Sequence, residues 1–134
     1  MTWPARHVTC SIARPPAVVY AFLRDPRNLP RWASGLSGGI RQEGADWISD
    51  APMGRVKVAF APENTYGVLD HDVTLADGQT FHNPMRVVPN DSGSEVSFTV
   101  FRRDGVDDAA FDADAATVGA DLERARALLA ADPA

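Results

Sequence analysis

The segment Asp70-His71-Asp72 sets an imidazole between two carboxylates, the grouping in this chain that most resembles a reactive cluster. Strand alternation separates the three. His71 shares a face with Leu69, Val73 and Leu75, while Asp70 and Asp72 take the other face with Thr74, so they cannot share one ion with the histidine. His7 and His82 fall on other strands, and no metal site is expected. An imidazole on an apolar concave face could orient a ligand carbonyl or move a proton. The plainer reading is a core histidine satisfied by a backbone carbonyl. His71 is therefore the one weak catalytic candidate.

Asn83 shares the apolar face of its strand with Phe81, Met85 and Val87, where an amide could fix the orientation of a ligand, or could cap a bulge at Pro84. Such a bulge would leave the facing of His82 and Arg86 open, and an inward Arg86 would suit an acidic or enolate-bearing ligand. Asp114 and Asp121 flank the apolar stripe of the last helix. One of them could face a cavity and pair with His71 or Arg86, or both could be a solvated shoulder. Trp32 could stack on a flat ligand or plug one end of the core. Cys10 alternates with Val8 and Ile12 and reads as a small buried apolar residue. Gly35, Gly38 and Gly39 precede a strand and no Gly-Lys-Ser/Thr follows, so they read as a bend and not a phosphate cradle. No serine sits on a nucleophile turn, and the catalytic set is incomplete.

The elements that would position these groups are legible in order. Alternation predicts a strand over 6–12, and Pro15-Pro16 start a short helix over 16–24 that Asp25-Pro26 stops. A single-turn helix over 28–33 follows, with Asn28 as its cap. Short strands are predicted over 40–42, 46–49, 55–60, 68–75, 80–88 and 95–102, with a turn at Ala76-Asp77-Gly78. The turn at Asn90-Asp91-Ser92 also matches a glycosylation sequon. An amphipathic helix over about 107–130 closes the sequence. Phe111, Ala115, Val118, Leu122, Ala125 and Leu129 form its stripe, Asp107 or Asp108 its cap. Gly119 would allow close approach of a strand or leave room for a ligand.

With 134 residues, 45% hydrophobic and 23% charged, the chain suits one domain, 1–134, with one core. A net charge of −5 argues against nucleic acid and against anionic membranes. No apolar run is long enough for insertion in a bilayer. The opening residues show no signal peptide, and one cysteine permits no internal disulfide, so a cytoplasmic setting is expected. An exposed strand edge offers a route to a homodimer.

Residues 11–22, Ser-Ile-Ala-Arg-Pro-Pro-Ala-Val-Val-Tyr-Ala-Phe, and 25–33, Asp-Pro-Arg-Asn-Leu-Pro-Arg-Trp-Ala, resemble the opening of the START-like, or SRPBCC, superfamily. Residues 93–100 and 118–124 resemble its closing strand and helix. The resemblance implies an α+β helix-grip fold, a curved antiparallel sheet around a long C-terminal helix with two short helices after the first strand. It also implies an apolar cavity between sheet and helix. Members include polyketide cyclases and aromatases, lipid and sterol carriers, plant pathogenesis-related proteins and co-chaperones. The expected partner is a small hydrophobic molecule, lipid-like or aromatic and polyketide-like, with no cofactor. The residues expected to line its site are Trp32, Phe60, His71, Phe81, Asn83, Met85, Phe98, Val118 and Leu122. Alternatives are a polyketide cyclase or aromatase closing rings by aldol addition and loss of water, and a co-chaperone-like interaction module.

Overall fold

The computed structural model describes residues 1–51 and 54–131. The expected domain over 1–134 includes Pro52, Met53 and residues 132–134, which lie outside the described residues. Strand β1 (Ala5–Ile12) leads to helix α1 (Pro16–Arg24), a 3₁₀ turn (Pro26–Asn28), helix α2 (Leu29–Trp32) and a second 3₁₀ turn (Ser34–Leu36). Seven strands follow: β2 (Arg41–Glu43), β3 (Asp46–Ala51), β4 (Gly54–Phe60), β5 (His71–Thr74), β6 (Thr80–Asn83), β7 (Met85–Asn90) and β8 (Gly93–Phe101). Helix α3 (Asp108–Ala131) completes the helix-grip arrangement.

Each helix starts where the local chemistry predicts. Pro15 and Pro16 open α1, and its Val19 and Leu23 are fully buried. The Asp107 carboxylate accepts from the Ala110 N–H at 2.8 Å and caps α3, which buries Phe111, Leu122, Ala125 and Leu129. Around α2 the cap differs from expectation. Asp25 accepts from the Arg27 N–H at 3.0 Å and caps the 3₁₀ turn, whereas Asn28 sits in helical conformation and its amide donates to the Phe22 carbonyl, also at 3.0 Å. Pro26 had already begun the turn, so the capping position falls three residues earlier.

The sheet is antiparallel throughout, in two ladders, β1-β8-β7 and β2-β3-β4-β5-β6. The sequence suggested one strand over 80–88. The structure divides it at Pro84, and the two halves take different partners. Pro84 accepts from the Thr99 N–H at 2.9 Å but has no N–H to return, and here β6 leaves β8 to pair with β5. Beyond this point β8 has only β1 as a paired neighbour. Arg103 spans the resulting gap. Its guanidinium donates to the Thr80 carbonyl at 3.0 Å and lies over the Phe81 ring, 4.4 Å from the centroid.

The bend also disturbs pairing on its other side. The Leu69 N–H donates to the Met85 carbonyl at 2.8 Å, but the return bond is not made. Instead the Met85 N–H donates to Asp70 Oδ1 at 2.9 Å, and the Leu69 carbonyl accepts from His71 Nδ1–H at 3.0 Å. Two side chains thus satisfy backbone groups that a regular ladder would have paired to each other. The side-chain alternation survives. Phe81, Asn83, Met85 and Val87 share the inner side, while Arg86 points outward onto Asp70 at 2.8 Å and His82 onto Asp72 at 2.6 Å. The Arg86 guanidinium holds the Asp70 carboxyl below the usual carboxylate range, and the Met85 N–H adds to that effect.

Close approaches are few and specific. Gly67 has φ of +72°, and a Cβ there would lie 2.0 Å from the Val87 carbonyl oxygen, so only glycine fits. Gly119 is different. A Cβ there would meet Val8 Cγ1 of β1 at 3.7 Å, an ordinary contact, so this glycine faces a strand and opens no space for a ligand.

Two stability predictions follow from these contacts. Asp70→Ala leaves the Met85 N–H without a partner and should cost roughly 1–3 kcal/mol in urea denaturation, with Asp70→Asn costing less because its amide oxygen still accepts. Gly119→Ala should stabilise the fold by about 1 kcal/mol through helix propensity alone, raising the denaturation midpoint with its slope unchanged.

Candidate functional site

The core is filled at one end and hollow at the other. Beneath α1, Val19, Leu23, Leu69, Met85 and Val96 pack with at most 1% exposure. Between α2, the middle of α3 and the strands β4 to β6 lies a cavity of about 460 Å³. Val56 and Val58 of β4, Val73 and Phe81 of the β5–β6 pair, and Leu29 and Leu36 around α2 give it apolar walls.

Of the residues expected at a ligand site, the structure places Trp32, His71, Phe81, Asn83, Phe98 and Val118 on this cavity. Phe60, Met85 and Leu122 do not line this cavity, each for a physical reason. Phe60 ends β4 opposite His71 and packs on the imidazole, with ring centroids 5.0 Å apart. Met85 lies past the bend, in the ladder that α1 covers, and is fully buried. Leu122, 1% exposed, belongs to the filled part of the core. All three have the inward facing that alternation gives. What alternation does not give is the position of the hollow along the inner face.

His71 combines both readings open to it. Its Nδ1 is held by the Leu69 carbonyl, and since a carbonyl can only accept, Nδ1 carries the proton. The ring is flanked by Phe60 and, edge-on, by Phe98 at 5.6 Å. Burial pushes its pKa below the ordinary histidine value, against the smaller opposing pull of the Leu69 carbonyl. The ring is therefore neutral near pH 7, and Nε2 carries a lone pair with no partner among the described residues. Asn83 lies directly opposite in the strand register.

Trp32 is 3% exposed, and its indole Nε1 is buried with no hydrogen-bond partner among the described residues. The Trp32 carbonyl, at the end of α2, accepts from Arg124 Nη1 of α3 at 2.9 Å. The same guanidinium nitrogen donates to Asp121 at 3.0 Å, and Asp121 accepts from the Ser34 N–H at 3.2 Å. Asp121 and Arg124 thereby tie α2 and the turn after it to α3, across the edge of the cavity. Asp114, one helical stretch earlier, also borders the cavity and has no partner among the described residues. Neither aspartate pairs with His71 or Arg86. Of Asp114 and Asp121 one was weighed as facing a cavity, and both border it; the aliphatic wall from Val56, Val58 and Val73 was not expected in the lining. The wall's inward facing was readable from alternation, its place in the hollow was not. Cys10 is buried in the core, where desolvation raises its thiol pKa.

The neutral histidine gives a signed pH dependence. A folded-state pKa below the unfolded value means that the unfolded chain takes up a proton first as pH falls. Stability contributed by His71 is complete above about pH 6.5 and is lost as pH falls through the lower folded value. In urea titrations between pH 7.5 and 5, wild type should lose stability that His71→Phe does not lose. The paired aspartates act only at lower pH, so they do not confuse the comparison.

No helix among the described residues is long and apolar enough to cross a membrane. No curated protein matches the sequence. Solved structures do match the fold. The crystal structure of Ara h 8.0201 superposes with a TM-score of 0.68 at 12% identity, covering 96% of this chain and 99% of that one. XoxI from Bacillus cereus gives a TM-score of 0.73 at 13% identity, covering 95% and 96%. DynU16, a protein of the dynemicin biosynthetic locus, gives 0.71 at 15% identity, covering 95% of this chain and 47% of its own. At these identities the likeness is one of fold. The family described as polyketide cyclase / dehydrase and lipid transport matches over residues 6–132, and with the fold and cavity already described, the chain belongs to that family within the START-like superfamily.

Proposed function

We propose that the protein binds a small hydrophobic ligand, lipid-like or aromatic and polyketide-like, in the cavity between the sheet and α3. The observation that carries this reading is the cavity itself. Its volume of about 460 Å³ falls within the range of small-molecule sites, roughly 300–1,000 Å³. Its lining is mostly aliphatic and aromatic, with a few polar groups set singly in the wall, the pattern that gives affinity through burial and orientation through hydrogen bonds.

A second reading, ring closure by a cyclase, is favoured by the free Nε2 of a neutral imidazole facing Asn83. In that reading Nε2 takes a proton from carbon next to a ketone, and the enolate carbon adds to a second carbonyl of the same chain. The new alkoxide is protonated, and a second removal of the α-proton expels hydroxide as water. The Asn83 amide is the donor for the enolate oxygen. Arg86, weighed for that part from the sequence, is turned outward and held by Asp70. The family description covers both transport and cyclisation, and DynU16 comes from a biosynthetic locus.

Native mass spectrometry of freshly purified protein, followed by solvent extraction, tests the binding reading. A reproducible excess mass is expected, and Val118→Trp, which fills the hollow, should remove it while circular dichroism stays unchanged. A bound mass that survives Val118→Trp would place the ligand elsewhere. For the cyclase reading, His71→Ala should abolish turnover of a poly-keto chain in a folded protein, and full activity would remove the histidine from the mechanism.

A further inference from the structure

The polar groups of the cavity wall also define what kind of ligand it accepts, an inference that rests on the binding reading above. His71 is 7% exposed, its Nδ1 is committed to the Leu69 carbonyl, and its Nε2 has no partner among the described residues. A buried acceptor of this kind is complemented by an O–H, and a ligand oxygen without a proton leaves it unsatisfied.

The charges of the lining point the same way. Among the described residues no lysine or arginine borders the cavity, while Asp114 and Asp121 do. Arg124, the nearest cation on the same helix, is already held by Asp121 and the Trp32 carbonyl. A carboxylate would therefore enter an apolar site without a counter-ion and beside like charges, and it would offer His71 no proton. A cation would meet the carboxylates of Asp114 and Asp121 at the edge of the cavity, but further in it would have to leave water beside an uncharged imidazole and an amide. An uncharged hydroxyl meets none of these costs.

We propose that the cavity selects an uncharged, hydroxyl-bearing apolar ligand whose O–H donates to His71 Nε2, and that it discriminates against carboxylates.

The test titrates the full chain at pH 7.5 with four probes of one shape: naphthol, its methyl ether methoxynaphthalene, the anion naphthoate and the cation naphthylmethylamine. Naphthol should bind about tenfold more tightly than the methyl ether, the worth of one well-made buried hydrogen bond. Naphthoate and the amine should bind more weakly than naphthol. In proton–nitrogen correlation spectra the His71 Nε2 resonance should move with naphthol and stay in place with the ether. His71→Phe should bring naphthol down to the affinity of the ether. The spectra decide the matter in wild-type protein even where that variant does not fold. Equal affinity for naphthol and the ether, an unmoved Nε2 resonance, or tightest binding by either ion overturns the proposal and leaves the binding reading intact. Binding of none of the four overturns this proposal, while the binding reading is judged by the native mass spectrum.

Discussion

The fold turns on an amide hydrogen that does not exist. Pro84 interrupts the ladder between β8 and the strand before it, and the chain uses the interruption to pass from one ladder of the sheet to the other. Carrying a strand through such a bend costs backbone pairing on its far side, where the Met85 N–H and the Leu69 carbonyl no longer meet. Asp70 and His71, adjacent in sequence and pointing to opposite faces, each take one of the separated groups. The bend is therefore held from outside by a carboxylate and from inside by an imidazole. His71 and Asn83, opposite each other in the register of β5 and β6, stand next to it.

That geometry divides the interior. On one side of the bend α1 closes over β7 and β8, and the side chains between them are fully buried. On the other side β6 swings away from β8, α2 is only one turn long, and α3 is tied to it at the edge by Arg124 and Asp121. The walls there are mostly valines, leucines and aromatic rings around a hollow of about 460 Å³. Helix and sheet are kept apart by the filled half, so the hollow half need not collapse. Stability and cavity thus have separate sources within one hydrophobic face.

Much of this was legible in the residues. The period of α3, the proline-led start of α1 and the alternation of each strand gave the order of the elements and the inward facing of His71, Asn83 and Phe81, while the helix-grip arrangement came from the resemblance. Alternation held even across Pro84, which is why Arg86 and His82 turn outward. What escaped is information that no single strand contains. Phe60, Met85 and Leu122 face inward like the lining residues but stand where the core is filled, and that depends on where α1 ends and how far the sheet bends. The place of Asp121 was hidden for a similar reason, since its partner, the Ser34 N–H, lies 87 residues away. The cap assigned to Asn28 was displaced by a local competitor, Pro26, that fixes the turn earlier.

The anchoring of His71 by Nδ1 has a consequence in acid. Protonation adds a hydrogen at Nε2 only, so the bond to the Leu69 carbonyl stays and the ring has no reason to rotate. The wall would then present a donor and a positive charge at the position where it had presented a lone pair. The acceptor that suits a ligand hydroxyl would be gone, with no movement of the backbone. The Leu69 carbonyl holds the nitrogen that is protonated in both states, which is what keeps the change so local.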